Sequence, residues 1–157
     1  MSPRNRWTTA LLGLVILALA ACQQRAAYSH YEPVSLNGWN REDTVKFSFG
    51  PVTESNSFRK TLGLRASLDY PFTNLSLIVE QEVMPSGTVK CDTLDISLID
   101  IDGSPKGKGV NHYQYDIPLN SISLLAGETL YVSIRHNMKR ENLPGISDIG
   151  LTLEEQP

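Results

Sequence analysis

Alternation of apolar and polar side chains with a period of two is the feature that most constrains the fold of this 157-residue chain. Successive side chains of an extended strand point to opposite faces of a sheet, so this period predicts strands that each bury one face. No segment carries a convincing helical stripe. The alternation occurs in seven runs, at residues 45–49, 62–68, 75–79, 94–98, 113–117, 130–134 and 149–153.

Turn-forming residues separate these runs. Gly50-Pro51, Asp102-Gly103 and Pro144-Gly145 each supply a fixed or permissive backbone angle. Many short strands with one apolar face must bury that face against a second sheet. We therefore predict an all-β fold, an antiparallel β-sandwich of about seven to eight strands, of the jelly-roll or immunoglobulin-like kind.

The N-terminal segment has the pattern of an export signal. Arg4 and Arg6 precede an uncharged stretch over residues 8–21, and small residues lead into Cys22. This order matches a bacterial lipoprotein signal peptide, in which a peptidase cuts before an acylated cysteine. The apolar stretch is shorter than the roughly 20 residues that a permanent membrane-spanning helix needs. We therefore predict that Cys22 carries fatty acyl chains such as palmitate.

Three parts of the chain follow from this assignment. Residues 1–21 are predicted to be a cleaved lipoprotein signal peptide, residues 22–40 an acylated N-terminus and tether, and residues 41–157 the β-sandwich domain. The tether contains few large apolar side chains. Residues 22–157, which remain after cleavage, are enough for one domain with a hydrophobic core.

Composition limits the classes of partner. The 14 basic residues fall to 12 when Arg4 and Arg6 leave, against 17 acidic ones, so no nucleic-acid partner is expected. Attachment to the membrane is then expected to come from the lipid anchor. With Cys22 acylated, Cys91 has no disulfide partner, and its setting between Lys90 and Asp92 suggests a small buried side chain.

No motif for catalysis, metal or cofactor is complete. His30, His112 and His136 lack the close spacing of zinc ligands. The Asp100–Gly103 stretch is only a fragment of a calcium loop, and residues 103–109 miss the spacing of a phosphate loop. Ser147 misses the Gly-x-Ser-x-Gly elbow by one position. We therefore expect no catalytic residue, metal or cofactor.

Two short Asp-Thr-aliphatic sequences suggest a modification. Thr44 and Thr93 stand in the pattern used for O-glycosylation of exported proteins in the Bacteroidetes. An intact mass equal to that of the lipidated polypeptide alone would exclude it.

A set of motifs in order along the chain resembles the GldH family of gliding-motility lipoproteins. They are the lipobox, residues 70–75, residues 92–94, the glycine loop at 103–109, residues 136–138 and residues 143–151. The match runs from about Tyr28 to Leu153. The resemblance implies a Bacteroidetes lipoprotein without catalytic residues. It would act with other Gld lipoproteins on an envelope motility apparatus linked to type IX secretion. Relatives in species that do not glide imply a more general envelope role or a component shared with another assembly.

The residues that follow the 130–134 run have two interpretations. In one, His136 and Met138 continue the buried pattern and pack as a strand end beneath the loop before Pro144. In the other, five residues of this segment contact a partner protein, and arginine supplies paired hydrogen bonds to it. The partner-contact set is Arg135, His136, Met138, Lys139 and Arg140.

These inferences lead to a non-catalytic, lipid-anchored component of an outer-membrane assembly that faces the periplasm and binds other envelope lipoproteins. Gln23 after Cys22, rather than an aspartate, favours sorting to the outer membrane. The alternative is a carbohydrate-binding module, in which Tyr113, Tyr115 and Tyr131 would stack on sugar rings. The alternation of these tyrosines suggests that they lie mainly in the core.

Overall fold

The computed structural model describes residues 26–35 and 37–156. Within this part of the chain no helix has the length and apolar character needed to cross a membrane. The strands are β1 (Ala26–Pro33), β2 (Trp39–Asn40), β3 (Val45–Phe49), β4 (Asn56–Ser67), β5 (Asn74–Met84), β6 (Thr88–Ser97), β7 (Lys108–Gly109), β8 (His112–Leu124), β9 (Thr129–His136), β10 (Asn142–Leu143) and β11 (Ile146–Glu155).

The strands form two antiparallel sheets and a short ribbon. The first sheet has the order β1-β11-β4-β8-β7, and the second has the order β3-β9-β5-β6. Strands β2 and β10 pair only with each other, as a two-stranded ribbon. The predicted all-β, antiparallel sandwich is therefore confirmed.

The core lies between the two sheets, where the period-two patterns of both meet. Each predicted run falls in a strand, although two run ends lie just beyond it: Leu68 after β4, which is exposed, and Leu98 after β6, which is buried. Aromatic rings pack between the sheets at one end. The ring centre of Phe49, in the second sheet, lies 5.7 Å from that of Tyr28 and 5.1 Å from that of Phe58, both in the first sheet. Burying one such large apolar side chain contributes about 1.5–3 kcal/mol. Fully buried aliphatic side chains include Leu62, Leu64, Leu75, Leu77, Leu130, Ile134, Ile149 and Leu153.

Strand β1 corrects the predicted tether. The sequence places residues 22–40 outside the domain, but Ala26–Pro33 pairs along its length with β11. An edge strand gains much of its stability from backbone hydrogen bonds to its neighbour, so it needs few apolar side chains and shows a weak sequence pattern. Residues 26–33 therefore belong to the sandwich.

Tyr31 of β1 lies flat on the outer face of the first sheet. Gly150 and Gly63 are paired neighbours beneath it, and a Cβ atom on either would overlap the tyrosine side chain. The Arg65 guanidinium stacks 4.1 Å above the centre of the ring, and Gln114 donates a hydrogen bond of 2.6 Å to the hydroxyl oxygen. These contacts hold the edge strand to the sheet.

The two ends of the sandwich differ in what they carry. We call one end the anchor end, after the predicted lipid anchor at Cys22; it is where β1 begins, together with the loops at residues 50–55, 85–87 and 125–128. The far end holds Pro33, the β2–β10 ribbon and residues 137–141. Since β1 has eight residues, the ends are roughly 25 Å apart at about 3.3 Å per residue.

Candidate partner-contact site at the far end

The far end is built on a buried pair of rings. Trp39 of β2 is fully buried, and its indole nitrogen donates to the main-chain oxygen of Asp43 at 3.0 Å. The His136 ring, also fully buried at the end of β9, lies 5.3 Å away at 72°, an edge-to-face arrangement. This pair fixes the ribbon against the second sheet.

The hydrogen bonds of His136 fit a neutral imidazole. Nε2 lies 3.1 Å from the main-chain oxygen of Trp39, which can only accept. The backbone N–H of Met138 donates to Nδ1 at 3.4 Å, which requires a lone pair there. Burial lowers the pKa of His136 below its usual 6.5, with backbone hydrogen bonds opposing that shift.

We expect acid to destabilise the fold through His136. The folded state binds fewer protons at this site than the unfolded state, so the free energy of unfolding falls as pH drops below about 6.5. One such group can contribute a slope of at most about 1.4 kcal/mol per pH unit. Urea unfolding between pH 7 and pH 5 would measure it. His136→Gln should flatten this slope, whereas replacing exposed His112 with glutamine should not. Equal slopes in the wild type and His136→Gln would contradict the assignment.

Arg41 holds the chain that follows β9. Its guanidinium donates to the main-chain oxygens of Met138 and Lys139, and its backbone N–H donates to the oxygen of Glu141 at 2.8 Å. Arg41 Nε is buried and lacks a partner among the described residues. Sequence reasoning missed Arg41, because these contacts cross nearly 100 residues of sequence.

Met138 also fixes this segment. Its sulfur accepts the backbone N–H of Ser76 at 3.3 Å, and its half-buried side chain packs against the core. The oxygen of Ser76 in turn accepts the N–H of Asn137 at 2.8 Å. Residues 137–139 are therefore bound to the body of the sandwich from both sides.

The five predicted contact residues do not form one surface. His136 is fully buried, which corrects its place in the set and agrees with the interpretation as a packed strand end. Arg135 is exposed on the outer face of the second sheet, and Lys139 and Arg140 are exposed at the far end. None of these three cations makes an ion pair with a described carboxylate. We call Lys139 and Arg140 the far-end basic pair.

The two cysteines and the two threonines singled out from the sequence differ in where they lie. Cys22 lies outside the described residues. Cys91 is exposed on β6, which corrects the expectation that it is buried. It shares the outer face with Thr93, while Leu94 and Ile96 point to the core. Thr44 and Thr93 are both exposed, so a glycosyltransferase could reach either hydroxyl.

The tyrosines proposed as a sugar platform lie apart. Tyr115 is buried in the core, Tyr113 is partly buried against it, and Tyr131 is 45% exposed on the outer face of the other sheet. Their rings therefore offer no shared platform. Among the described residues no group of three or more His, Cys, Asp or Glu side chains is placed to hold a metal ion.

Solved structures resemble this chain only distantly. The Cry4Aa toxin from Bacillus thuringiensis matches over 75% of this chain and 19% of its own, with a TM-score of 0.47 and 12% identity. A family 35 carbohydrate binding module from Clostridium thermocellum matches over 79% of this chain and 89% of its own, with a TM-score of 0.37 and 10% identity. Neither likeness bears on function.

Sequence relatives are more informative. The chain is 27% identical to the gliding motility lipoprotein GldH of Flavobacterium johnsoniae, over 93% of this chain and 95% of that protein. It is 24% identical to a GldH homolog of Christiangramia forsetii, over 97% and 98%. The GldH lipoprotein family model matches residues 26–153, from the first described strand almost to the end of β11. The chain therefore belongs to the GldH lipoprotein family.

Proposed function

We propose that this chain is a non-catalytic, lipid-anchored scaffold that presents its far end to a partner protein in a gliding-motility or related envelope assembly. Its place would be the periplasmic face of the outer membrane. Membership of the GldH lipoprotein family supports the motility assignment. The observation that carries the proposal is that only three residues, 23–25, separate Cys22 from Ala26, the first residue of β1.

This short connection sets the orientation of the domain. Three residues span at most on the order of 10 Å, so an acylated Cys22 would hold the anchor end close to the bilayer. The far-end basic pair would then stand roughly 25 Å further out, at about 3.3 Å per residue of β1. The exposed acidic residues Glu54 and Glu155 at the anchor end add no electrostatic attraction to anionic headgroups, so the acyl chains would supply the attachment.

The far-end basic pair is suited to a protein contact. Arg41 and Met138 fix the backbone beneath it, so little ordering is left to do when a partner binds. Charged side chains at the edge of an interface steer association and select against wrong partners. We therefore infer that the partner presents carboxylates to Lys139 and Arg140.

Photo-crosslinking in cells tests this proposal. With a photo-reactive amino acid in place of exposed Asn137, we expect capture of a defined envelope protein. The same residue in place of Glu54, at the anchor end, should not capture that protein. Lys139→Glu with Arg140→Glu should reduce capture about tenfold or more, because like charges then meet across the interface.

A matched control separates the surface from net charge. Arg59→Glu with Lys90→Glu makes the same change in charge at exposed positions nearer the anchor end, and should leave the capture unchanged. Equal capture from positions 137 and 54, or capture that survives the reversal of Lys139 and Arg140, would overturn the proposed surface.

A further inference from the structure

A cleft of about 380 Å³ opens between the two sheets near the anchor end. Lys60 of β4 and Gln81 of β5 line it from opposite sheets, and β8 contributes residues 120–123. The register between β4 and β8 shifts between Phe58 and Lys60, which is a bulge beside the cleft. Bulges often re-aim side chains next to binding sites.

Lys60 is the unusual residue of this cleft. It is only 2% exposed, and its amine donates a hydrogen bond to Oε1 of Gln81. Among the described residues no carboxylate forms an ion pair with it. Burying an amine without a counter-charge costs folding free energy. An anion bound beside the amine would offset that cost.

The charged neighbours of Lys60 are already engaged. Asp92 of β6 pairs with Lys90 at 3.2 Å. Glu128, in the turn before β9, accepts the backbone N–H of Leu125 at 2.8 Å. Burial lowers the pKa of Lys60 to about 8, with Lys90 adding to this effect and Asp92 opposing it. The amine therefore remains largely protonated at neutral pH with no anion of its own.

The rest of the lining indicates what kind of anion fits. Thr88 offers a hydroxyl group, Asn120 offers an amide group, and Ile122 adds an apolar contact. The hydroxyl groups of Ser86 and Ser123 are already bonded to Val83 and Ser57. Among the described residues no aromatic side chain lines the cleft, so sugar stacking has no support there. Lys90 also lines the cleft but is paired with Asp92, so the Lys60 ammonium is the one left for a ligand, and it matches a monoanion. A phosphate dianion would bring excess negative charge close to Glu128.

We propose that this cleft binds a small carboxylate that also carries hydroxyl or amide groups, with its carboxylate directed at the Lys60 ammonium. The cleft lies near the anchor end, whereas the far-end basic pair lies at the opposite end. Failure of this proposal would therefore leave the scaffold role untouched, and failure of the scaffold role would leave this proposal untouched. The carboxylate could belong to a peptide terminus or to a sugar acid. The experiment distinguishes these two sources.

Thermal unfolding of the full-length protein in detergent provides the test. N-acetylalanine stands for a peptide terminus and gluconate for a sugar acid. We expect at least one of them to raise Tm in a saturable way, because a ligand of the folded state stabilises it. The uncharged amide N-acetylalaninamide should not. The effect should weaken as pH rises above about 8, where the amine loses its proton.

Substitution identifies the amine. Lys60→Met should lower the affinity by about tenfold or more through loss of a charge-assisted hydrogen bond, whereas Lys106→Met should not. If Lys60→Met fails to fold, trace acetylation of the wild type serves instead, since bound ligand should protect Lys60 but not Lys106. No saturable shift with either carboxylate, equal binding by Lys60→Met, or no protection of Lys60 would overturn the site.

Discussion

Replacing Trp39 with alanine is expected to lower the free energy of unfolding by about 3–5 kcal/mol. The side chain is fully buried, and its removal takes away the ring that packs edge-to-face on His136. The ribbon has only two paired positions, Asn40 with Asn142 and Trp39 with Leu143, so it has little else to hold it. Urea unfolding at neutral pH would measure the loss.

Tyr131→Ala is the matched control for that experiment. Its aromatic side chain is 45% exposed on the outer face of the second sheet, so its removal should cost much less. A loss below about 1 kcal/mol for Trp39→Ala would mean that the ribbon does not depend on this ring. Because Arg41 lies just beyond Trp39, the alanine variant should also lose capture through position 137.

Replacing Cys22 with serine is expected to move the whole protein from the membrane fraction to the soluble fraction. Each buried methylene contributes about 0.8 kcal/mol, so several acyl chains hold a protein almost permanently and their absence leaves no comparable anchor. Fractionation of cells, with the intact mass of the product, would measure the change.

Cys91→Ser provides the control, because it removes the exposed thiol of β6 and leaves Cys22 in place. This variant should stay in the membrane fraction and keep its lipid mass. Membrane retention of a Cys22→Ser protein whose mass shows that residues 1–21 have been removed would count against acylation as the anchor. So would a wild-type protein with unmodified Cys22 in the culture fluid.

The sequence pattern predicted the strands that bury a face, because each alternates over several residues. It did not predict β1, whose place depends on backbone pairing with β11 and on Tyr31 lying over Gly150. It did not predict β2 and β10 either, since two-residue strands are too short to show a period. The sandwich architecture could therefore be predicted from the sequence, whereas the edge strand β1 and the β2–β10 ribbon could not.

Candidate functional residues show the same division. Lys60 falls on the inward positions of β4 together with Phe58 and Leu62, so the period alone could have marked it as a buried charge. The same period places Cys91 on the outer face. Arg41 could not have been found this way, because its contacts with residues 138 and 139 depend on how distant segments pack.

The antiparallel pairing of β1 with β11 has a mechanical consequence. A tether at the start of β1 and a partner at the opposite end would pull roughly along the strand axes. The hydrogen bonds between Ala26–Pro33 and β11 would then be sheared together, instead of being unzipped one after another. A force exerted on this protein by a motility assembly would then act along the strands, the direction in which a sheet resists mechanical unfolding most strongly.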